Sequence, residues 1–200
     1  MIWRVLAGAV ALCGALGVLI DVALAKDGRA ALRLFDYYTI QTNLLVSAAA
    51  ALAAWHGSYP PAWLAPIGQA VSLWICVTAL GYHFLLSKLY RPTGWQAVAN
   101  RLLHYYTPLG MVIYAQIAWY GQPPQPLLWI SYPLLYSVLN LVRGHITGYY
   151  PYWFMRPEGT YPEGNGSYAR VFMFMVVLLI AFCLVGYVLN AWQSVLGMRL

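Results

Sequence analysis

Charged residues are the scarcest class of side chain in this sequence. Only 8% of its 200 residues are Asp, Glu, Lys or Arg, whereas soluble globular domains contain about 25%. Hydrophobic residues make up 62% of the chain, so a water-soluble fold is excluded and an integral membrane protein is predicted. In such a protein the net charge of +6 indicates topology in the bilayer and not a nucleic-acid partner.

Cysteine is also scarce, and the chain lacks a metal-binding pattern. Cys13, Cys76 and Cys183 lie singly inside apolar runs, a set that is neither a disulfide framework nor a zinc motif. No His-Glu-x-x-His spacing occurs, and no acidic residue lies close in sequence to His83, His104 or His145. We therefore expect no metal and no cofactor.

Six apolar stretches of about 20 residues are present, which is the length that crosses a bilayer as a helix. They cover residues 4–25, 37–55, 66–87, 98–120, 127–144 and 169–192. The connectors between them hold Gly, Pro and charged residues, which are typical of turns. The sequence predicts an all-α fold, a bundle of six transmembrane helices that forms a single domain over residues 1–200.

Basic residues are distributed unequally between the two ends of this bundle. The first, third and fifth connectors, with their flanks, hold Lys26, Arg29, Arg33, Lys88, Arg91, Arg101, Arg143, Arg156 and Arg170. Only Arg4 and Arg199 fall at the other end. Because basic loops stay in the cytoplasm, we expect both termini outside and the nine basic residues at the cytoplasmic side.

The second span opens with a polar stripe. Asp36, Thr39, Asn43 and Ser47 are spaced by three or four residues, so they share one face of a helix. Polar side chains at membrane depth are costly unless they face a bundle interior or a wet cavity. This stripe predicts a polar chamber at the cytoplasmic end.

The fourth span carries a matching polar face. Asn100, His104 and Thr107 share one side of the predicted helix. Pro108 has no N–H, so the carbonyl of His104 loses its helical partner and the helix is expected to bend beside the histidine. On the fifth span, Asn140 and Arg143 share a face at the same depth.

Three motifs resemble a known family. They are "YYTIQTNLL" at 37–45, "LLHYYTPL" at 102–109 and "RGHITGYYPYWF" at 143–154. They are similar to the androgen-induced family of membrane hydrolases, which cleave fatty acid esters of hydroxy fatty acids, and to its bacterial six-span branch. The resemblance implies a bacterial inner-membrane protein, with Thr39 as nucleophile and His104 as base.

Other residues of the sequence are candidates for the same two catalytic roles. Thr42 is a rival nucleophile, and His83 or His145 is a rival base. The third motif, with His145, is implied to line the pocket.

The residues around this pair suggest further roles. Asn43 and Asn100 are candidate oxyanion donors, Asn100 could instead hold the imidazole, and Asp36 or Asp21 is a candidate third catalytic group. A substrate carboxylate is expected to meet Arg143 or Arg33, and the substrate is expected to be a lipid or fatty-acyl ester.

Two other function classes fit the same polar residues. A transporter or lipid-binding protein would also need a polar cavity, although the sequence shows no internal repeat. A metal- or haem-binding protein would use His83, His104 and His145, because imidazole is a common ligand of zinc and iron.

Overall fold

The computed structural model describes residues 1–57, 61–119 and 121–197, and within these ranges the chain is α-helical without β-strands. The helices are α1 Ile2–Ala23, α2 Gly28–Leu34, α3 Tyr38–His56, α4 Leu64–Gly81, α5 Gly94–Arg101, α6 Thr107–Ala118, α7 Pro126–Thr147 and α8 Tyr168–Gly197. Two π-helical segments, Tyr82–Leu86 and Leu102–Tyr106, extend α4 and join α5 to α6, and Trp153–Met155 forms a 3₁₀ turn. The all-α fold class is confirmed.

The six predicted stretches coincide with six long helical stretches. The fourth of these is the continuous run of α5, the second π segment and α6, from residue 94 to 118. The predicted end of that span at residue 120 lies outside the described residues, as does Arg199 of the charge count. The short helix α2 was not predicted; Asp27 caps it by accepting a hydrogen bond from the backbone N–H of Ala30 at 2.7 Å.

Three helices of the described chain are long and apolar enough to cross a membrane: Ile2–Ala23, Leu64–Leu86 and Tyr168–Val195. The other three long stretches are those that carry the polar residues Thr39, His104 and Asn140. Large apolar side chains stand exposed along the outer helices, among them Leu12, Leu139, Phe172, Leu184 and Val188. Apolar surface on this scale is unusual on a soluble monomer and suits contact with lipid.

Helix α4 is the centre of the bundle, because it packs against α3, α6, α7 and α8. Helices α1 and α3 make the other extensive contact. Gly14 permits their close approach, since a Cβ at this position would lie 2.5 Å from Ser47 Oγ and 3.1 Å from the Asn43 carbonyl oxygen. Small residues allow the same kind of close approach between transmembrane helices.

We expect Gly68→Ala to destabilise the protein by about 1–3 kcal/mol, the usual cost of overpacking a core. A Cβ at Gly68 would lie 2.1 Å from the indole ring of Trp119, which is only 2% exposed and cannot swing aside freely. The measurement is the melting temperature of the purified protein in detergent. Gly8→Ala is the matched control, because a Cβ there meets no atom within 4 Å; equal melting temperatures for the two variants would contradict this packing.

Candidate active site

Two π-helical turns face each other and position His104. In the first, the N–H of Ser87 donates to the carbonyl of Tyr82, five residues earlier, at 2.8 Å. In the second, the N–H of Thr107 reaches the carbonyl of Leu102 in the same way. The rings of Tyr82 and His104 stack with their centroids 3.9 Å apart. Such turns are rare and are often found at functional sites.

A bend was predicted beside Pro108, and the second π segment, Leu102–Tyr106, ends two residues before this proline. A donor five residues ahead of the Leu103 carbonyl would be Pro108, which has no N–H. The Asn43 side chain takes its place and donates to the Leu103 carbonyl at 3.1 Å. The Asn43 amide also donates to the Thr39 carbonyl at 2.8 Å, so both of its hydrogens hold backbone groups and α3 is tied to the π turn.

Thr39 and His104 lie within hydrogen-bond distance. Thr39 Oγ1 is 3.3 Å from His104 Nε2, and His104 Nδ1 is 3.1 Å from the carbonyl oxygen of Asn100. A carbonyl oxygen only accepts hydrogen bonds, so Nδ1 carries the hydrogen and the Nε2 lone pair of the neutral ring faces the Thr39 hydroxyl. This is the arrangement that a histidine base requires, with the ring oriented by its other nitrogen.

Thr39 is the second residue of α3, which begins at Tyr38. The first N–H groups of a helix have no partner within it, and the N-terminus carries partial positive charge. The Thr39 N–H donates to the hydroxyl oxygen of Tyr152 at 3.4 Å. Asp36 does not cap this helix: Tyr37 is the N-cap residue and makes no side-chain cap bond.

Tyr152 reaches the site from the segment between α7 and α8. Gly144 permits this segment to dock, since a Cβ there would lie 2.1 Å from the ring of Tyr150. The Tyr152 ring stacks on Phe154 at 5.0 Å and meets Tyr37 edge-on at 5.6 Å. Burial raises the pKa of Tyr152 to about 12, so the phenol keeps its proton near neutral pH and can donate a hydrogen bond.

Two cavities meet at Thr39. The larger, of about 370 Å³, is lined by His104, Asn100, Asp21, aromatic residues and leucines. The smaller, of about 90 Å³, has a mainly apolar lining that includes Leu85, Met175, Leu178 and Phe182. Thr39, Tyr82, Leu86 and Tyr152 belong to the walls of both. A molecule bound at the Thr39 hydroxyl can therefore extend into a larger space that contains the polar groups of Asp21, Asn100 and His104, and into a smaller space that is more apolar.

The two predicted site residues of α7, Asn140 and Arg143, belong to a separate network. Arg143 makes an ion pair with Asp36 and donates to Asn140 Oδ1 at 2.9 Å. Asn140 donates to the Tyr136 carbonyl at 2.9 Å, and Tyr136 donates to the Asp36 carbonyl at 2.8 Å. Neither Asn140 nor Arg143 lines either cavity. This network joins the start of α3 to the end of α7.

None of the three rival residues lines either cavity, although the Thr42 hydroxyl lies 3.2 Å from the Thr39 carbonyl oxygen. His83 and His145 are exposed, and His145 Nδ1 lies 2.8 Å from the Tyr168 hydroxyl. Thr42 is fully buried; it donates to the Tyr38 carbonyl at 2.8 Å and lies 3.2 Å from Thr78 Oγ1. Within the described ranges, no group of three or more His, Cys, Asp or Glu is placed to hold a metal ion.

Tyr82 and Tyr152 were not identified from the sequence. Aromatic residues near helix ends usually anchor a protein at the membrane interface, and Tyr152 lies within an aromatic run, "GYYPYWF" at 148–154. The sequence offered one indication that Tyr152 belongs to the site, because this aromatic run is part of the third of the three motifs.

No family model matches the chain, and no curated protein or solved structure shows significant similarity to it.

Proposed function

We propose that this protein is an intramembrane hydrolase of lipid esters, with Thr39 as nucleophile and His104 as general base. One observation carries the proposal. The Thr39 hydroxyl lies 3.3 Å from the lone-pair nitrogen of a buried histidine whose other nitrogen is held by the Asn100 carbonyl. The resemblance of the three motifs to the androgen-induced hydrolases supports the same pair.

The proposal includes six membrane spans, with the site at the cytoplasmic end of the bundle. Contacts between distant segments support this arrangement. Asp36 pairs with Arg143, and Arg33 lies over the Tyr149 ring at 5.2 Å, so basic connectors gather beside the site. Arg4 donates to the Ala54 carbonyl at 2.9 Å, at the opposite end of α3. The bacterial inner membrane fits this charge distribution.

The reaction would proceed in two steps. His104 Nε2 accepts the Thr39 proton as Oγ1 attacks the ester carbonyl, and the same proton then passes to the departing alkoxide. This leaves an acyl group on Thr39. In the second step His104 accepts a proton from water, the water oxygen attacks the acyl carbonyl, and Thr39 recovers its proton as the fatty acid departs. These proton transfers are the usual ones for a hydroxyl nucleophile that is paired with a histidine base.

The negative charge on the carbonyl oxygen needs preorganised donors. The protonated Tyr152 phenol and the backbone N–H groups in the first turn of α3 lie beside Thr39 and are suited to this role. Of the expected donors, Asn43 uses both amide hydrogens on backbone carbonyls, and Asn100 uses one of its two on the Tyr82 hydroxyl at 2.8 Å. Asn100 thus holds the imidazole through its backbone carbonyl.

Labelling with a fluorophosphonate probe tests the nucleophile. An activated hydroxyl forms a bond to phosphorus and releases fluoride. We expect wild type and Thr42→Ala to be labelled, and labelling of Thr39→Ala to fall to background. Thr42→Ala is a matched control, because it removes the same side chain three residues away in a place that touches neither cavity.

Each variant is first shown to be folded by gel filtration in detergent, and hydrolysis of monooleoylglycerol is followed in the same samples. Labelling and turnover that persist in Thr39→Ala would overturn the assignment of the nucleophile. A folded wild type that is neither labelled nor active on any ester would overturn the hydrolase, and uptake into proteoliposomes would then test a transport function.

A further inference from the structure

The larger cavity beside Thr39 contains hydrogen-bond acceptors without partners. Asp21 lies in the last turn of α1, and within the described chain its carboxyl group has no ion pair and no side-chain hydrogen bond. Asn100 Oδ1 is buried without a partner. Both residues line this cavity together with His104. A buried acceptor such as Asn100 Oδ1 is costly when unpaired. The partly exposed Asp21 carboxyl group is a second free acceptor, so this space is suited to a ligand that brings hydrogen-bond donors.

Among the described residues, no lysine or arginine lines the larger cavity. Arg143 is neutralised by Asp36, and Arg33 lies against Tyr149. The arginines that were expected to meet a substrate carboxylate are therefore outside the cavity wall. A carboxylate in this space would face the Asp21 carboxyl group without a cation to pair with, and two like charges without a counter-charge repel each other.

The smaller cavity offers a different environment on the other side of Thr39. Its wall is formed largely by leucine, methionine and aromatic side chains of the first π segment, α7, α8 and the segment between α7 and α8. An acyl chain gains free energy by leaving water for such a surface. An ester bound at Thr39 with its acyl chain here would place its alcohol half beside His104, where the leaving oxygen receives its proton.

We propose that the larger cavity receives the alcohol half of the ester and selects an uncharged polyol, such as glycerol, over an alcohol that carries a carboxylate. Asp21 determines this selectivity by accepting hydrogen bonds from the polyol hydroxyls and repelling an anion. The inference depends on the hydrolase function proposed above, and it names the substrate class of that site: monoacylglycerol-like esters.

Three esters that share the oleoyl group separate the effect of the polyol hydroxyls from the effect of the carboxylate. Monooleoylglycerol has a polyol, the oleate ester of hydroxystearic acid has a carboxylate, and the methyl ester of the latter has neither. We expect wild type to favour monooleoylglycerol over the carboxylate substrate by about tenfold or more in kcat/KM, since one hydrogen-bonded group is worth roughly that factor. Removing the carboxylate as the methyl ester should restore part of the loss.

Substitution of Asp21 should change this preference. Asp21→Leu removes the acceptor and the charge, so KM for monooleoylglycerol should rise and the preference should fall about tenfold. Asp21→Asn keeps an acceptor and removes the charge, so it should mainly improve the carboxylate substrate. Asp27→Asn is the control, because this residue caps α2 outside the cavity and Asn is an equally good cap.

The outcomes test the substrate selectivity separately from the hydrolase function. If Thr39-dependent hydrolysis is found but wild type prefers the carboxylate substrate, or if Asp21→Leu keeps the wild-type preference, the selectivity is overturned and the hydrolase stands. If no ester is cleaved and no probe labels Thr39, both are overturned.

Discussion

Replacing His104 with glutamine should lower kcat for ester hydrolysis by about 10²- to 10⁴-fold, the usual contribution of a positioned general base. The reason is the geometry of its two nitrogens. Nδ1 is held by the Asn100 carbonyl, which leaves Nε2 to take the Thr39 proton at 3.3 Å. Glutamine fills similar space but cannot accept and return a proton. The measurement is steady-state hydrolysis of monooleoylglycerol in detergent.

Two other histidines are matched controls for this substitution. His83 lies in the opposite π turn with its side chain exposed, and His145 is exposed at the end of α7. We expect His83→Gln and His145→Gln to retain kcat within about twofold, as surface substitutions usually change little. Loss of activity in either variant together with an active His104→Gln would mean that the base had been assigned to the wrong histidine.

Tyr152→Phe should reduce kcat by about 10²- to 10³-fold, which is the effect of removing one donor from an oxyanion hole. The Tyr152 hydroxyl lies 3.4 Å from the Thr39 backbone nitrogen, at the wall of both cavities. Because burial raises its pKa to about 12, the phenol stays protonated as pH rises through the neutral range. Its donor role is therefore present at neutral and mildly alkaline pH and is lost only as pH approaches that pKa.

The value of KM separates this role from a structural one. A donor that acts on the transition state lowers kcat and leaves KM nearly unchanged. Tyr150→Phe removes a hydroxyl from the same segment without touching either cavity and should keep wild-type kinetics. Equal effects of the two substitutions, or a Tyr152→Phe variant that loses only substrate affinity, would contradict oxyanion stabilisation.

The positions of the helices could be predicted because a long apolar run indicates a segment that is buried or in contact with lipid, and such a segment is helical. Each of the six predicted stretches corresponds to a long helical stretch, with ends that differ by a few residues. The polar stripe of α3 could also be predicted from the sequence, since helical spacing alone places Thr39 and Asn43 on one face. The pairing of Thr39 with His104 needed the resemblance of the motifs, because spacing within one helix carries no information about its neighbour.

The partners of the other polar residues could not be predicted, because each depends on how helices distant in sequence pack together. Arg143 was expected to meet substrate, but it lies beside Asp36, 107 residues away in the chain. Asn43 was expected to face an oxyanion, but its amide holds the Leu103 carbonyl. In a low-dielectric interior a polar group bonds to whichever complementary group is nearest, and only the packed structure determines which group that is.

The sequence by itself determined the fold class, the helical stretches and the shared face of Thr39 and Asn43 on α3. These properties follow from the free energy of moving each side chain out of water and from helical periodicity. Both depend only on residues that are close together in the sequence. The tertiary structure decided the π turns, the tautomer of His104, the approach of Tyr152 and the division of space around Thr39 into two cavities, of which the larger contains Asp21, Asn100 and His104. These depend on contacts among α1, α3, α4 and the segment before α8, whose distances no local pattern encodes.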